Sequence, residues 1–172
     1  ALSFAIKNNL TIFFLTSRQT QHKIVVDTLR QIKEKFSISF EVADLIGKKW
    51  MCAQPGASDM ASGEFYDYCK DLTDNHQCQY YSNLKSKEDP NKVSLETKET
   101  LQILNNKIMH VEEFKSFTKS KVLCPFEIAC LVAKRASIII ADYHHILNTT
   151  IRETIFERTK KDCYRGNQKS NI

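Results

Sequence analysis

Four cysteines constrain this chain more than any other feature. Cys52 stands in GKKWMC, Cys69 in FYDYC, Cys78 in NHQCQYY and Cys124 in LCPFE, with 16, 8 and 45 residues between successive members. The first three lie close together in a stretch with little helical or strand periodicity, and the fourth returns from far along the chain, just before Pro125. Structural zinc sites usually pair their ligands as C-x(2–4)-C, because a tight knuckle presents two sulfurs to one small ion. The nearest two of these four are nine residues apart, so that knuckle is missing. An iron–sulfur cubane is larger and can take one thiolate from each of four separate segments. On spacing alone a cluster, a zinc ion and disulfides among the six cysteines all stay open.

The rest of the composition narrows the setting. A chain of 172 residues with 42% hydrophobic and 26% charged residues is an ordinary globular sequence that can bury a core without disulfide staples. The longest apolar runs, around TIFFL and ASIIIA, are too short to span a bilayer. With no cleavable leader in view, the expected compartment is cytosolic, where thiols stay reduced or bind metal. A formal charge of +5 permits a phosphate-bearing partner without requiring one. Ala1 opens in mid-pattern and Ile172 closes as though a strand were about to begin, so a piece of something longer is expected.

Taken in order, residues 1–9 read as the end of an amphipathic helix. The run Leu10–Thr16 reads as a strand buried on both faces of a parallel sheet. A polar turn, Ser17–Gln21, leads into a helix over 20–35, with Ile24, Val25, Leu29 and Ile32 at helical spacing. Residues 36–42 alternate apolar and polar and predict a second strand. Strand, helix, strand with short connections is a βαβ unit and implies an α/β sheet. Between Lys48 and Asp89 periodicity fades, and such a segment needs a metal to organise it. Asp89-Pro90-Asn91 predicts a turn. Ser94 caps a helix with an apolar stripe of Leu95, Leu101, Leu104 and Ile108, and a shorter helix follows at 111–118. Pro125 suits a first helical position and predicts a helix over 125–136 with Ile128, Leu131 and Val132 inward. Residues 137–142 predict a second buried strand, and 149–159 a further helix.

Five stretches together resemble the iron–sulfur DNA helicases of superfamily 2, the XPD type, and the archaeal members in particular. Leu15-Thr16-Ser17-Arg18-Gln19-Thr20-Gln21 is similar to the motif Ia turn that contacts DNA backbone. Gly47-Lys48-Lys49-Trp50-Met51-Cys52 resembles the basic segment before the first cluster cysteine, and His76-Gln77-Cys78-Gln79-Tyr80-Tyr81 the third-ligand region. Leu123-Cys124-Pro125-Phe126-Glu127 is similar to the Cys-Pro-Tyr-Phe/Glu signature, and Ala141–Leu147 to the strand end that precedes the DEAH box. Trp50 stands where Asn is common, and His145 where Tyr is. The P-loop G-x-x-x-x-G-K-[ST] and the DEAH box do not occur in the sequence.

The resemblance implies an α/β fold: part of a RecA-like parallel-sheet motor domain, interrupted by a mostly helical, loop-rich iron–sulfur insert. Residues 1–46 would open the motor domain, 47–124 form the iron–sulfur domain, and 125–172 return to the motor domain. The implied function is a portion of an ATP-dependent 5′–3′ DNA helicase of the DNA repair or transcription type. The alternative is a non-catalytic zinc-binding nucleic-acid module. Cys52, Cys69, Cys78 and Cys124 would hold a [4Fe–4S] cluster whose job is structural. ATP and Mg would bind mainly outside this stretch, which by itself would not hydrolyse ATP. Arg18, Gln19, Gln21, Lys48, Lys49, Tyr80, Tyr81 and Tyr143 are the expected DNA contacts. The expected partners are single-stranded DNA and a DNA fork, with no membrane and a monomeric protein, cytoplasmic in an archaeon or nuclear in a eukaryote.

Several residues carry a blander reading beside the functional one. Phe65, Tyr66, Tyr68, Tyr80 and Tyr81 either pack around the cluster or stack on unpaired bases. Lys48, Lys49, Lys70 and Lys85 either attract phosphates or form a solvated face. Cys130 reads as a buried apolar cysteine, Cys163 as a free thiol and His76 as a bystander.

Overall fold

The computed structural model describes residues 2–8, 10–89 and 91–147, and the chain divides into two compact units. One comprises Ala1–Leu45 and Ala129–Ile172, the other Ile46–Ile128. The helix expected at 149–159 and the thiol of Cys163 lie outside the described residues.

The first unit is built on a three-stranded parallel sheet. Helix α1 (Leu2–Lys7) precedes strand β1 (Ile12–Thr16), and the long helix α2 (Gln19–Phe36) leads to strand β2 (Val42–Leu45). Much later in the chain, helix α8 (Pro125–Ala133) precedes strand β3 (Ile138–Asp142) and the short helix α9 (His144–Leu147). The spatial order is β1-β3-β2. Ile12 pairs with Ile138 and Thr16 with Asp142 on one side, Val42 with Ile138 and Leu45 with Ala141 on the other. The α/β class read from the sequence is therefore the class observed. β1 and β2, the two arms of the expected βαβ unit, are not neighbours, because β3 lies between them.

Position in the sheet explains where the element expectations fail. β3 is central, and Ile138, Ile139, Ile140 and Ala141 are all buried, as a strand covered on both faces requires. β1 pairs on one side only among the described residues, and its Phe14 is 44% exposed rather than buried on both faces. The alternating run at 36–42 is not a strand. Phe36 closes α2 and is exposed, Ser37 adopts the left-handed conformation that ends the helix, and the strand is the uniformly buried Val42–Leu45. On α2, which packs on β1 and β3, the buried stripe is His22, Val26 and Leu29, while Ile24 faces solvent.

The second unit, Ile46–Ile128, is helical among its described residues. Helices α3 (Lys48–Met51) and α4 (Ser62–Asp74) flank a single 3-10 turn, Ala57–Asp59. Then come α5 (Gln79–Ser82), α6 (Leu95–Asn105) and α7 (Val111–Ser120). The Ser94 hydroxyl accepts from the Thr97 amide at 3.1 Å, the expected cap. The buried face of α6 is Thr97, Thr100, Leu101 and Leu104, and Leu95 lies outside it, exposed. Ile108 is buried beyond the helix end. No helix among the described residues is long and apolar enough to cross a membrane.

One polar cluster sits inside the first unit where none was expected. His22 on α2 has no exposed surface. Its Nδ1 lies 2.5 Å from Oδ1 of Asp44 on β2, whose side chain is 1% exposed. Its Nε2 lies 3.4 Å from Oδ1 of Asp142, the last residue of β3. Burial is the largest single influence on His22 and disfavours its charge, but the hydrogen bond and charge of Asp44, and then Asp142, outweigh it. The pKa is raised above the ordinary 6.5. A raised folded-state value gives stability that is complete below about pH 6.5 and disappears as pH rises through the folded pKa. Denaturant midpoints of the wild type should therefore fall across that interval, whereas a His22→Gln variant should be flat there. Replacing His22 by Leu removes the imidazole that Asp44 and Asp142 share and should cost about 3–5 kcal/mol at neutral pH. Parallel pH profiles for wild type and His22→Gln would refute the charged pairing.

Candidate metal centre

Each of the four cysteines reaches its place by a different local device. Cys52 follows the single turn of α3 as its C-cap, in extended conformation, with its amide donating to the Lys49 carbonyl at 3.3 Å. Cys69 lies on α4, one turn after the fully buried Phe65 and one turn before Thr73, so the three share a helix face. Cys78 is the N-cap of α5 and is buried; His76, just before it, turns outward with a positive φ of 55°. Cys124 stands just before α8, and its amide donates to the Tyr80 carbonyl at 2.9 Å, tying the fourth segment to the third. The chain approaches Cys124 through a left-handed turn at Val122 (φ 53°), whose carbonyl accepts from Asn83 Nδ2 at 3.1 Å. Such a conformation is costly for a β-branched residue, and the Asn83 contact helps hold it.

These devices bring Cys52, Cys69, Cys78 and Cys124 to one pocket, about 380 Å³ out to its open mouth. Lys48, Gln54, Phe65, Thr73, Tyr80, Tyr81 and Phe126 complete the lining with their neighbours. None of the five described cysteines forms a disulfide. Cys130, the fifth, is buried in the other unit. Among the described residues no group of three or more His, Cys, Asp or Glu side chains is disposed to hold a metal ion. The four sulfurs thus share a cavity without forming a compact single-ion shell.

The pocket's electrostatics follow from taking sulfur out of water. Burial, the main influence, pushes the Cys124 thiol up to about 12 and raises Cys52 as well. Lys48 is the compensating charge. Burial disfavours its ammonium, but electrostatic attraction to Cys69 and Glu127, a hydrogen bond to Cys69 and attraction to Cys124 together raise its pKa. Its Nζ also sits 5.7 Å from the centre of the Phe126 ring. Lys49 points elsewhere, donating to the Met60 carbonyl at 2.8 Å and lying over the Trp50 ring at 4.3 Å. Tyr80 and Tyr81 are half-buried against the cysteine pocket, Tyr66 is exposed, and Lys70 and Lys85 face solvent.

The remaining expected contacts gather at the carboxyl ends of β1 and β3. Arg18 is the exposed N-cap of α2, and its carbonyl accepts from the Thr16 hydroxyl at 3.2 Å. Gln19 begins α2 and Gln21 is exposed in its first turn. Tyr143 is 47% exposed, and its amide donates to the Thr16 carbonyl at 3.0 Å, which places it beside that turn. His144 is exposed and His145 buried. The first turn of α2 carries no acidic residue and its N-cap makes no side-chain hydrogen bond, while the Gln21 amide donates to the Arg18 carbonyl at 3.0 Å.

A parallel α/β unit joined in sequence to a helical unit that gathers four cysteines defines the class of chain at hand. The chain belongs to the DEAD_2 family, whose profile matches residues 14–163. It is similar to the ATP-dependent DNA helicase CHL1 of Kluyveromyces lactis, 25% identical over 122 residues. That match covers 71% of this chain and 14% of the relative, so the chain spans only a small part of that protein.

Gln54, Thr73 and Phe126 were missed as pocket residues. Phe65, Cys69 and Thr73 recur every fourth residue, a signal that emerges only when cysteine is counted with the apolar face. Phe65 anchors α4 with no exposed surface. Phe65→Ala should destabilise the Ile46–Ile128 unit by about 3–5 kcal/mol, read by hydrogen exchange of α4 amides. Protection unchanged from wild type would show that Phe65 is not the anchor.

Proposed function

We propose that this chain is part of an ATP-dependent DNA helicase and supplies a [4Fe–4S] centre held by Cys52, Cys69, Cys78 and Cys124. The observation that carries the reading is the shared pocket: four cysteines from four separated segments line one cavity in a chain of the DEAD_2 family. The cavity's donor set, four cysteine sulfurs, is the set that iron–sulfur clusters use. When bound, the cluster supplies a rigid four-way crosslink and the positive charge that buried thiolates require. Lys48 adds charge from the protein side, and Tyr80, Tyr81 and Phe126 line the cavity beside the sulfurs.

The same reading gives the sheet end its role. The amino end of α2, free of acidic residues, with Arg18, Gln21 and the exposed Tyr143, suits the phosphates and bases of single-stranded DNA. Gln19, Lys48 and Lys49 belong to the proposed contact set through the family likeness alone. ATP and magnesium would be held by parts of the whole protein outside this sequence, and this stretch alone would not turn ATP over. A 5′–3′ direction, action at a fork and a monomeric state complete the proposal.

Two measurements test it. Anaerobically purified chain should be brown and carry iron and inorganic sulfide at the cubane ratio, and Cys52→Ala should lose both and loosen 46–128 to proteolysis. Colourless protein with stoichiometric zinc would favour the non-catalytic nucleic-acid module instead. Arg18→Ala should weaken binding of an oligo-dT strand and lower its salt slope by about one. An unchanged slope would remove Arg18 from the interface.

A further inference from the structure

Gln54 lies two residues after Cys52 and makes polar contacts through its side-chain amide nitrogen and its backbone. Its side-chain Nε2 donates to Cys78 Sγ at 3.7 Å, a hydrogen-bond distance for sulfur. Its main-chain amide hydrogen-bonds the Cys52 sulfur. Its carbonyl accepts from the amide of Ala57 at 3.4 Å, closing the Pro55-Gly56 turn, and Ala57 is itself buried. Pro55 restricts the backbone of Gln54 by disfavouring the helical conformation there, and Gly56 takes the positive φ of 73° that the turn needs. Gln54 is thus fixed at one end by the turn and reaches across the cavity with the other.

We propose that Gln54 is a positioning residue for the four-cysteine centre, donating to two of its four sulfurs and thereby setting their separation and electron density. The proposal rests on the iron–sulfur reading. Sulfur in such a centre is an acceptor, and an amide N–H is a donor that carries no charge. Donation draws electron density from the ligand sulfur, which favours the reduced centre and raises its potential. A carboxylate at the same place would bring an acceptor and a negative charge against thiolates that burial already disfavours. Glutamine satisfies the sulfur where glutamate would repel it.

The full chain, reconstituted anaerobically with ferrous iron and sulfide, provides the test in four forms: wild type, Gln54→Leu, Gln54→Glu and Gln54→His. The histidine variant keeps an N–H donor. The expected result is cubane-ratio iron and sulfide in wild type, and a lower midpoint potential in the Leu and Glu variants. Those two should also lose iron to a chelator several-fold faster. The His variant should fall nearer to wild type on both readouts. Loss of the centre in Leu and Glu but not in His would support the same assignment. Potentials and chelator rates equal in all four forms would overturn the role of Gln54 while leaving the cluster reading intact. Equal loss in all three variants, donor or not, would overturn donation as its role. A wild type that takes up zinc, or no iron and sulfide, would overturn the cluster reading and this proposal with it.

Discussion

A thiolate removed from water must meet a compensating charge, and the Ile46–Ile128 unit is arranged around that requirement. Burial drives the Cys124 and Cys52 thiols toward their neutral forms, while the pocket offers one ammonium, that of Lys48, as partial compensation. Phe65 is the one fully buried side chain of α4, and α3 and α5 are single turns that could not persist alone. What holds these pieces is a set of local fasteners: the Cys124 amide on Tyr80, Asn83 on Val122, and Gln54 between Cys52 and Cys78. A cluster on the four sulfurs would convert those fasteners into one rigid body.

The α/β unit solves a different problem. Its central strand comes last in the described chain, so β1 and β2 wait for a partner that arrives some ninety residues after β2. Once β3 is in place, its isoleucines are covered on both faces and the strand ends are fixed from the side by His22. Asp44 and Asp142 end up near one imidazole because β2 and β3 are parallel neighbours. The same alignment sets Tyr143 beside Thr16 and the Arg18 turn, where a parallel sheet presents its ligand-binding edge.

Legibility varied with how much each signal depended on neighbours. Ile138–Ala141 was readable because an uninterrupted branched run has few alternatives, and the Ser94 cap because the signal is local. The run at 36–42 misled because alternation competes with a helix that extends to Phe36 before Ser37 stops it. Ile24 and Leu95 look like core by type and stand in solvent, while His22 and Thr97 look polar and are buried. In both helices the polar residue has found a partner inside: Asp44 for His22, and the Leu84 carbonyl for Thr97. Periodicity cannot register such pairs, since the partner comes from elsewhere in the chain.

Chemistry carried by residue type was settled by the sequence itself. It holds the cysteines and their segments, the uninterrupted branched run of β3 that suits a covered central strand, and the basic stretch before Cys52. Contact between distant segments was decided only in three dimensions. The convergence of four sulfurs on one cavity, the placement of β3 between β1 and β2, Lys48 turned inward while Lys49 points to Met60, and Gln54 spanning two cysteines all belong to that class. The reason is that local propensity acts over a few bonds, whereas charge compensation and strand pairing are satisfied only after the chain has closed loops of tens of residues.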